Sequence, residues 1–183
     1  MQMIIGIIVA LGLFIGYPVM TYNGIVSQQV EVQGQAANVD TTLTRRADLI
    51  PNLVETVKGY SKHEAAVIDS VNQARQALLS AGTMAEKSAA NEALTGALGR
   101  LLAVAEAYPE LKSDTVYMGL MDELAGSENR IAIARQSYNR AVTNYNKTIR
   151  QFPGSIVAKF GGFEPAEPFK AEEAAKASPK VKF

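Results

Sequence analysis

The chain lacks cysteine and tryptophan, and it has a single histidine among 183 residues. The absence of cysteine excludes disulfides, thiol nucleophiles, thiolate metal ligands and a lipidated cysteine. One histidine leaves little for metal binding or for acid–base catalysis, which need several ligands or a second titratable group. Eighteen Lys and Arg balance eighteen Asp and Glu, so there is no basic excess for nucleic acid. We therefore expect no metal, no cofactor and no nucleic-acid partner.

Basic residues are also missing from the first 44 positions, which contain only Glu31 and Asp40 as charged side chains. Orientation in a membrane follows the Lys and Arg residues near the ends of a span. The absence of basic residues on both flanks leaves the orientation undetermined. Because cytoplasmic flanks usually carry Lys or Arg early, this absence weakly favours an orientation with most of the protein outside the cytoplasm.

One long apolar run occupies the N-terminus, where Met3 to Met20 form eighteen consecutive uncharged positions. A helix of that length matches the hydrocarbon core of a bilayer, about 30 Å thick. The sequence predicts a transmembrane anchor over residues 1–22, with Gly12 and Gly16 spaced for close approach of a second helix. The anchoring side chains are Met3, Ile4, Ile5, Leu11, Leu13, Phe14, Ile15 and Tyr17.

A cleaved signal peptide and a buried core helix are the alternatives for this run. A signal peptide has a basic start and a small-residue cleavage site, whereas Met1-Gln2 has no basic side chain and no Ala-x-Ala site follows. A core helix would be shorter and would show a polar stripe. Both features favour an uncleaved anchor.

The rest of the chain shows helical periodicity without a competing strand pattern. We predict an all-α fold in which the anchor continues into an antiparallel four-helix bundle, with helices at about 23–47, 51–81, 84–107 and 113–151. Pro51 is expected to break the first helix from the second. Thr83 and Glu86 form a capping box, and Ser113 or Asp114 is expected to cap the fourth helix. Residues 153–183 are predicted to be a non-helical segment and a flexible tail.

Apolar residues recur at spacings of three and four along each predicted helix, as bundle packing requires. The stalk at 23–47 is only thinly apolar and rich in glutamine, so packing against copies of itself would cover its valines. The second, third and fourth predicted helices each have an apolar seam. They comprise Leu53, Val57, Tyr60, Glu64, Val67, Val71, Ala74 and Leu78; then Leu94, Leu98, Leu101, Ala105 and Tyr108; then Leu120, Leu124, Ser127, Ile131, Ala134, Tyr138, Ala141 and Tyr145.

Several blocks of the sequence resemble the LemA family. They are T-Y-N at 21–23, R-R-A-D-L-I-P-N-L-V-E-T-V-K-G-Y-S-K-H-E at 45–64, Y-P-E-L-K at 108–112, E-N-R-I-A-x-A-R-x-x-Y-N-x-A-V-x-x-Y-N at 128–146, F-P-G at 152–154 and G-F at 162–163. The likeness covers nearly the whole chain. It implies a bacterial membrane-anchored helical protein without an established biochemical activity.

A set of polar residues flanks the apolar seams and is the candidate partner surface or interhelical network. Such a network fixes the register of a bundle, and this structural role is favoured over a ligand site. We expect Arg46→Ala to leave folding intact while abolishing partner binding if the cluster is functional. The set comprises Arg45, Arg46, Asp48, Asn52, Glu55, His63, Glu64, Glu128, Arg135, Asn139 and Asn146.

Catalysis is not expected, because no Glu-x-x-His pair, Ser-His-Asp set or phosphate loop is present, and His63 is preceded at three residues by Tyr60. The favoured function is a non-enzymatic scaffold or adaptor on the bacterial cytoplasmic (inner) membrane, spanning the lipid bilayer once. Its expected partners are copies of itself, as a homo-oligomer, or other envelope proteins. The alternatives are an accessory subunit of a transport or channel-like assembly, and a signalling or enzymatic role of the cluster near Arg45 to Asp48.

Overall fold

The computed structural model describes the backbone of residues 2–60 and 64–170, and the side chains of residues 16–60 and 64–170. These residues contain six helices and no strand, which confirms the predicted all-α class. The helices are α1 (Gln2–Tyr60), α2 (Ala65–Ser80), α3 (Met84–Ala105), α4 (Pro109–Lys112), α5 (Thr115–Arg150) and α6 (Gly154–Gly161).

The chain divides into two compact units. Unit 1 combines the chain up to Ala37 with Ser137–Pro168, and unit 2 combines Asn38–Gln136 with the residues from Phe169 onward. Because α1 and α5 each pass from one unit to the other, every unit is built from parts of the same two long helices.

Unit 2 packs the second part of α1, the hairpin of α2 and α3, the short α4 and the first part of α5. The predicted capping box is confirmed, since Thr83 accepts from the amide of Glu86 and the Glu86 carboxylate accepts from the amide of Thr83. Backbone and side-chain hydrogen bonds to that carboxylate hold its pKa below the usual value. The predicted seam of α3 is buried at Leu94, Leu98, Leu101 and Ala105.

Helix α1 continues through Pro51, where the sequence predicts a break. Proline removes the amide that would donate to the carbonyl of Ala47, four residues earlier. That carbonyl instead accepts a hydrogen bond of 2.8 Å from Nε of Arg75 on α2. Helix α1 ends at Tyr60 and α2 starts at Ala65, so the predicted helix at 51–81 is divided between them. On α2 the buried residue is Ile68, whereas the predicted core residue Val67 is only half-buried.

The start of α5 follows the sequence closely. Asp114 caps it by accepting at Oδ1 from the amides of Val116 and Tyr117, at 2.7 and 3.1 Å. Its second oxygen accepts from the hydroxyl of Tyr60 at the end of α1, at 2.8 Å. These hydrogen bonds lower the pKa of Asp114, and the one from Tyr60 has the largest effect. Of the two predicted caps, Asp114 is the one used.

Unit 1 packs the first part of α1 against the second part of α5, α6 and an extended segment, residues 163–168. Helix α6 lies where the sequence predicts non-helical chain. A Cβ at Gly154 would lie 2.2 Å from the carbonyl oxygen of Thr148, so only glycine permits so close a turn between α5 and α6. Gly162 ends α6 with φ +70°, a left-handed conformation. The predicted tail over 171–183 lies outside the described residues.

The predicted stalk residues are divided between the two units and differ in exposure. In unit 1, Ile25 is fully buried and Val32 is 8% exposed, whereas Val30 is 60% exposed; in unit 2, Val39 and Leu43 are buried. Part of the apolar stripe is therefore covered by its own chain, and Val30 is exposed.

Within residues 16–60 and 64–170, whose side chains the structure describes, no helix has both the length and the apolar character needed to cross a membrane. The predicted anchor side chains from Met3 to Ile15, and Gly12 with them, lie outside the described side chains. Tyr17 is 55% exposed. A Cβ added to Gly16 would have no described atom within 4 Å.

Candidate functional site

Arg46 occupies a core position of α1. Counting back from it by sevens gives Val39, Val32 and Ile25, and counting forward gives Leu53, and all four are buried apolar residues. A seven-residue repeat marks one continuous seam of a packed helix. Arg46 itself is only 5% exposed. A guanidinium therefore stands where the pattern of the helix calls for an aliphatic side chain.

Three acceptors from two other helices surround Nη1 of Arg46. The distances are 2.8 Å to Oδ1 of Asn91 and 3.1 Å to Oγ1 of Thr95, both on α3, and 3.0 Å to Oε2 of Glu128 on α5. Asn91 is 1% exposed, whereas the side chain of Glu128 is 42% exposed. Thr95 in turn donates to the carbonyl of Asn91 at 3.0 Å. The network ties α1, α3 and α5 together within unit 2.

The chemistry of this network is structural. Arginine keeps its charge at every physiological pH and donates only, so it cannot serve as a base or a nucleophile. A buried guanidinium whose partners are displaced is strongly destabilising, because its charge then lacks compensation. The acceptors on α3 and α5 meet Arg46 only in one register of the three helices. The network thus joins the three helices in this register, and the predicted role of the cluster in helix pairing stays a prediction.

The other predicted residues of α1 lie on a different face. Arg45, Asp48, Asn52 and Glu55 follow one another at spacings of three, four and three, and all four are exposed. They form a polar stripe, named here the α1 stripe. Glu55 makes a surface ion pair with Lys58 at 2.9 Å. The structure thus separates the predicted cluster into a buried network at Arg46 and an exposed stripe.

The predicted residues of α5 each have a separate environment. Arg135 lies 5.0 Å from the ring centre of the buried Phe169 and donates to the carbonyl of Lys170 at 3.3 Å. The hydroxyl of Ser88 donates to the same carbonyl at 3.3 Å. Asn139 is half-buried, and its carbonyl accepts from the hydroxyl of Thr143 at 2.7 Å.

Two predicted residues, His63 and Glu64, fall between α1 and α2 in the sequence. The backbone carbonyl of Glu64 accepts from the amides of Val67 and Ile68 at 3.1 and 3.2 Å, which starts α2. No described contact joins Glu64 to Arg46. His63 lies outside the described residues.

Asn146 binds the extended segment of unit 1 through both groups of its amide. Its Nδ2 donates to the carbonyl of Ala166 at 2.8 Å, and its Oδ1 accepts from the amide of Ala166 at 2.9 Å. Tyr145 donates to the carbonyl of Glu164 at 2.9 Å, and Tyr138 donates to that of Glu167 at 2.7 Å. Helix α5 thus supplies side-chain partners to the backbone of this segment.

These tyrosines were predicted as core residues, and their hydrogen-bonding role was missed. The signal lies in the two Tyr-Asn pairs at 138–139 and 145–146, seven residues apart, which place both hydroxyls along one side of α5. Burial raises the pKa of Tyr138 and of Tyr145, and the nearby charges of Glu167 and Glu164 raise them further. Both phenols therefore remain hydrogen-bond donors well into alkaline solution.

Among the residues that the structure describes, no group of three or more His, Cys, Asp or Glu is close enough to hold a metal ion.

Comparison with known proteins decides the family. The LemA family matches residues 35–183, which contain Arg46, the α1 stripe and the Tyr-Asn pairs. The chain belongs to the LemA family. It is 30% identical over 187 aligned residues to magnetosome protein MamQ 2 of Paramagnetospirillum magneticum, covering 88% of this chain and 69% of that protein.

Two further LemA relatives align over similar lengths. Magnetosome protein MamQ of Magnetospirillum gryphiswaldense is 27% identical, with 91% of this chain and 71% of the relative covered. Protein LemA of Metamycoplasma hominis is 24% identical, with 83% and 70% covered. The LemA match begins at residue 35, so the apolar run is not part of it.

Proposed function

We propose that this LemA-family chain is a non-enzymatic scaffold or adaptor of the bacterial envelope, held by one N-terminal span in the cytoplasmic membrane. Its folded units associate with copies of the chain or dock other envelope proteins. Relatives named as magnetosome proteins support a role in a cellular assembly.

The observation that carries this proposal is the continuity of α1. The helix begins at Gln2, inside the uncharged N-terminal stretch that holds Met3 to Met20, and extends to Tyr60 without interruption. Its later turns supply the buried seam of unit 2, including Arg46. One helix therefore joins a segment of bilayer-spanning length to a folded protein core. Such an element suits a tether better than a catalyst.

Membrane extraction tests the tether. Membranes of cells producing the full chain are washed with alkaline carbonate and then solubilised in a mild detergent. We expect the protein to resist the carbonate wash, because about eighteen apolar residues in a bilayer are retained without electrostatic contacts. Release of the intact protein by carbonate would refute the anchor.

The mass of the purified protein in detergent tests its associations. A homomeric complex or a complex with other envelope proteins supports the scaffold or adaptor function, and the lone protomer contradicts it. Self-association through the span is examined with Gly12→Ile/Gly16→Ile, since bulky residues prevent close helix approach. Gly6→Ile, in the same apolar run, is the matched control. Crosslinking in native membranes should lose the homomeric product only in the double variant.

The α1 stripe is the proposed docking surface. Its residues are exposed and lie on a helix whose opposite side packs in the core. Charge reversal by Arg45→Glu/Asp48→Lys should remove co-purifying partners without lowering the melting temperature. Glu92→Lys, at an exposed position of α3, is the matched control. Unchanged partners in the stripe variant would exclude this surface.

A further inference from the structure

Among the described side chains of unit 1, an apolar surface lies uncovered between the start of the described part of α1 and α6. A groove of about 490 Å³ lies between the two helices. Ala158 faces inward and is 4% exposed, whereas Phe160 is 88% exposed and Ile156 is 50% exposed. The lining residues are Pro18, Val19 and Tyr22 of α1, and Ile156, Val157, Phe160 and Gly161 of α6.

Two further apolar side chains of unit 1 are exposed, although they do not line this groove. Phe152, just before α6, is 80% exposed, and Met20 on α1 is 75% exposed. Removing such side chains from water is favourable. Apolar residues concentrated on one surface of a water-soluble protein usually mark a site of interaction. An occupant with apolar chemistry is therefore expected here.

The charge of the same unit narrows the choice of occupant. From Asn129 to Phe163 the sequence has no Asp or Glu. The part of this stretch that belongs to unit 1 carries four cations, which are Arg140, Lys147 and Arg150 on α5 and Lys159 on α6. The acidic residues of the unit, Glu31, Glu164 and Glu167, lie outside this stretch. Aromatic and aliphatic residues beside Lys and Arg are the composition of helices that lie in the headgroup region of anionic bilayers.

The position of α6 along α1 also fits a lipid surface. The rings of Tyr22 and Phe163 are 5.3 Å apart, and Gly161 sits so close to Tyr22 that an added Cβ would lie 3.2 Å from its ring. These contacts hold α6 beside residues 18–22, where the uncharged run Met3 to Met20 ends. A span ending there places its interfacial aromatic residues at the headgroup level.

We propose that α6 is an interfacial helix, whose face at Ile156 and Phe160 inserts into an anionic lipid surface while Lys159 and the basic end of α5 bind headgroup phosphates. The proposal rests on the proposed membrane anchor, and it adds a second attachment beside it. The groove between α1 and α6 takes acyl-chain or glycerol segments of the lipid.

The absence of tryptophan allows a direct test with the full chain in vesicles. Phe160→Trp introduces one fluorophore at an exposed position where folding is undisturbed, and Ile133→Trp, at a 57% exposed position of unit 2, is the matched control. Each variant is reconstituted into phosphatidylcholine vesicles with and without phosphatidylglycerol, containing brominated acyl chains. We expect the fluorophore of the Phe160→Trp variant to emit at shorter wavelength than that of the control and to be quenched by bromine. Quenching should increase with phosphatidylglycerol, and Lys159→Glu should reduce that increase.

Three results would overturn the interfacial helix. If aqueous iodide quenches the Phe160→Trp variant as readily as the control, the tryptophan on α6 lies in water. Blue-shifted emission without bromine quenching would mean that a second copy or another protein covers the groove. Equal bromine quenching in both variants would show no preference for α6. Carbonate extraction of the same vesicles separates the two proposals, because a carbonate-resistant protein whose α6 fluorophore is exposed to water refutes α6 insertion alone.

Discussion

Arg75 on α2 donates its Nε–H to the carbonyl of Ala47 on α1, the acceptor that an amide at Pro51 would otherwise use. An interior proline usually costs a helix about 3 kcal/mol, partly through that unused acceptor. Here a side chain from the neighbouring helix supplies the missing donor. The continuity of α1 thus depends on a tertiary contact.

The contact predicts a coupling between Arg75 and Pro51. Arg75→Met should lower the free energy of unfolding by about 1–2 kcal/mol, because the carbonyl of Ala47 loses its donor. In a Pro51→Ala background the loss should be smaller, since an alanine at this position has an amide. Urea unfolding in detergent, followed by circular dichroism, measures both values. Arg100→Met, at an exposed position of α3, is the control, and equal losses in the two backgrounds would contradict the coupling.

The Arg46 network predicts unequal effects for two glutamates of α5. Glu128→Ala should cost about 1–2 kcal/mol, because it removes the carboxylate from a buried guanidinium while Asn91 and Thr95 still bind it. Glu123→Ala breaks a looser surface pair with Arg130, at 3.5 Å, and should change stability by less than about 0.5 kcal/mol. Equal effects in urea unfolding would show that the Arg46 pair is worth no more than a surface pair.

The side-chain amide of Asn146 is expected to hold the extended segment in place. Asn146→Ala removes both hydrogen bonds to Ala166 and should raise amide hydrogen exchange across residues 164–168 by about tenfold, which corresponds to about 1.4 kcal/mol. Asn144→Ala, at an exposed position of the same helix, should leave that exchange unchanged. Mass spectrometry of the peptic peptides measures both. Unchanged exchange in the Asn146 variant would assign the segment to other contacts.

Alkaline pH should weaken unit 1 through its two tyrosines. The pKa values of Tyr138 and Tyr145 are raised above the ordinary value of 10.0 in the folded protein, so the associated stability is present below pH 10.0 and is lost as the pH rises through the folded values. A phenolate no longer donates to the carbonyls of Glu167 and Glu164.

Unfolding free energies at about pH 8 and about pH 11 provide the measurement. Tyr138→Phe/Tyr145→Phe should lower stability at the lower pH and flatten part of the pH dependence. The remaining pH dependence comes from Tyr60 and Tyr117, whose pKa values are also raised. The same pH dependence in both proteins would exclude this role for the two hydroxyls.

Local signals in the sequence predicted much of unit 2. The capping box at Thr83 and Glu86 and the apolar seam of α3 depend on residues within one or two turns, and the structure has both. The cap at Asp114 is equally local. These features require no knowledge of what lies across the fold.

Features set by long-range contacts were not predictable in the same way. The continuity of α1 at Pro51 depends on Arg75, which lies 28 residues beyond Ala47. Helix α6 follows the close approach of Gly154 to Thr148, which is only six residues earlier but is a geometry that composition alone does not reveal. Arg45 and Arg46 belong to one predicted set, yet Arg45 is exposed and Arg46 is buried, because adjacent helical residues point about 100° apart. The seven-residue repeat that starts at Ile25 would have separated them.

The composition of unit 1 has a consequence for synthesis on the ribosome. Residues up to Ala37 pack with Ser137–Pro168, so all of the chain between them must be translated before Ile25 and Val32 find their cover. At about 5–20 residues per second, that delay is roughly 5–20 seconds. During it a nascent chain displays an uncovered apolar stripe, which makes the interval one in which chaperones and insertion factors have access to it.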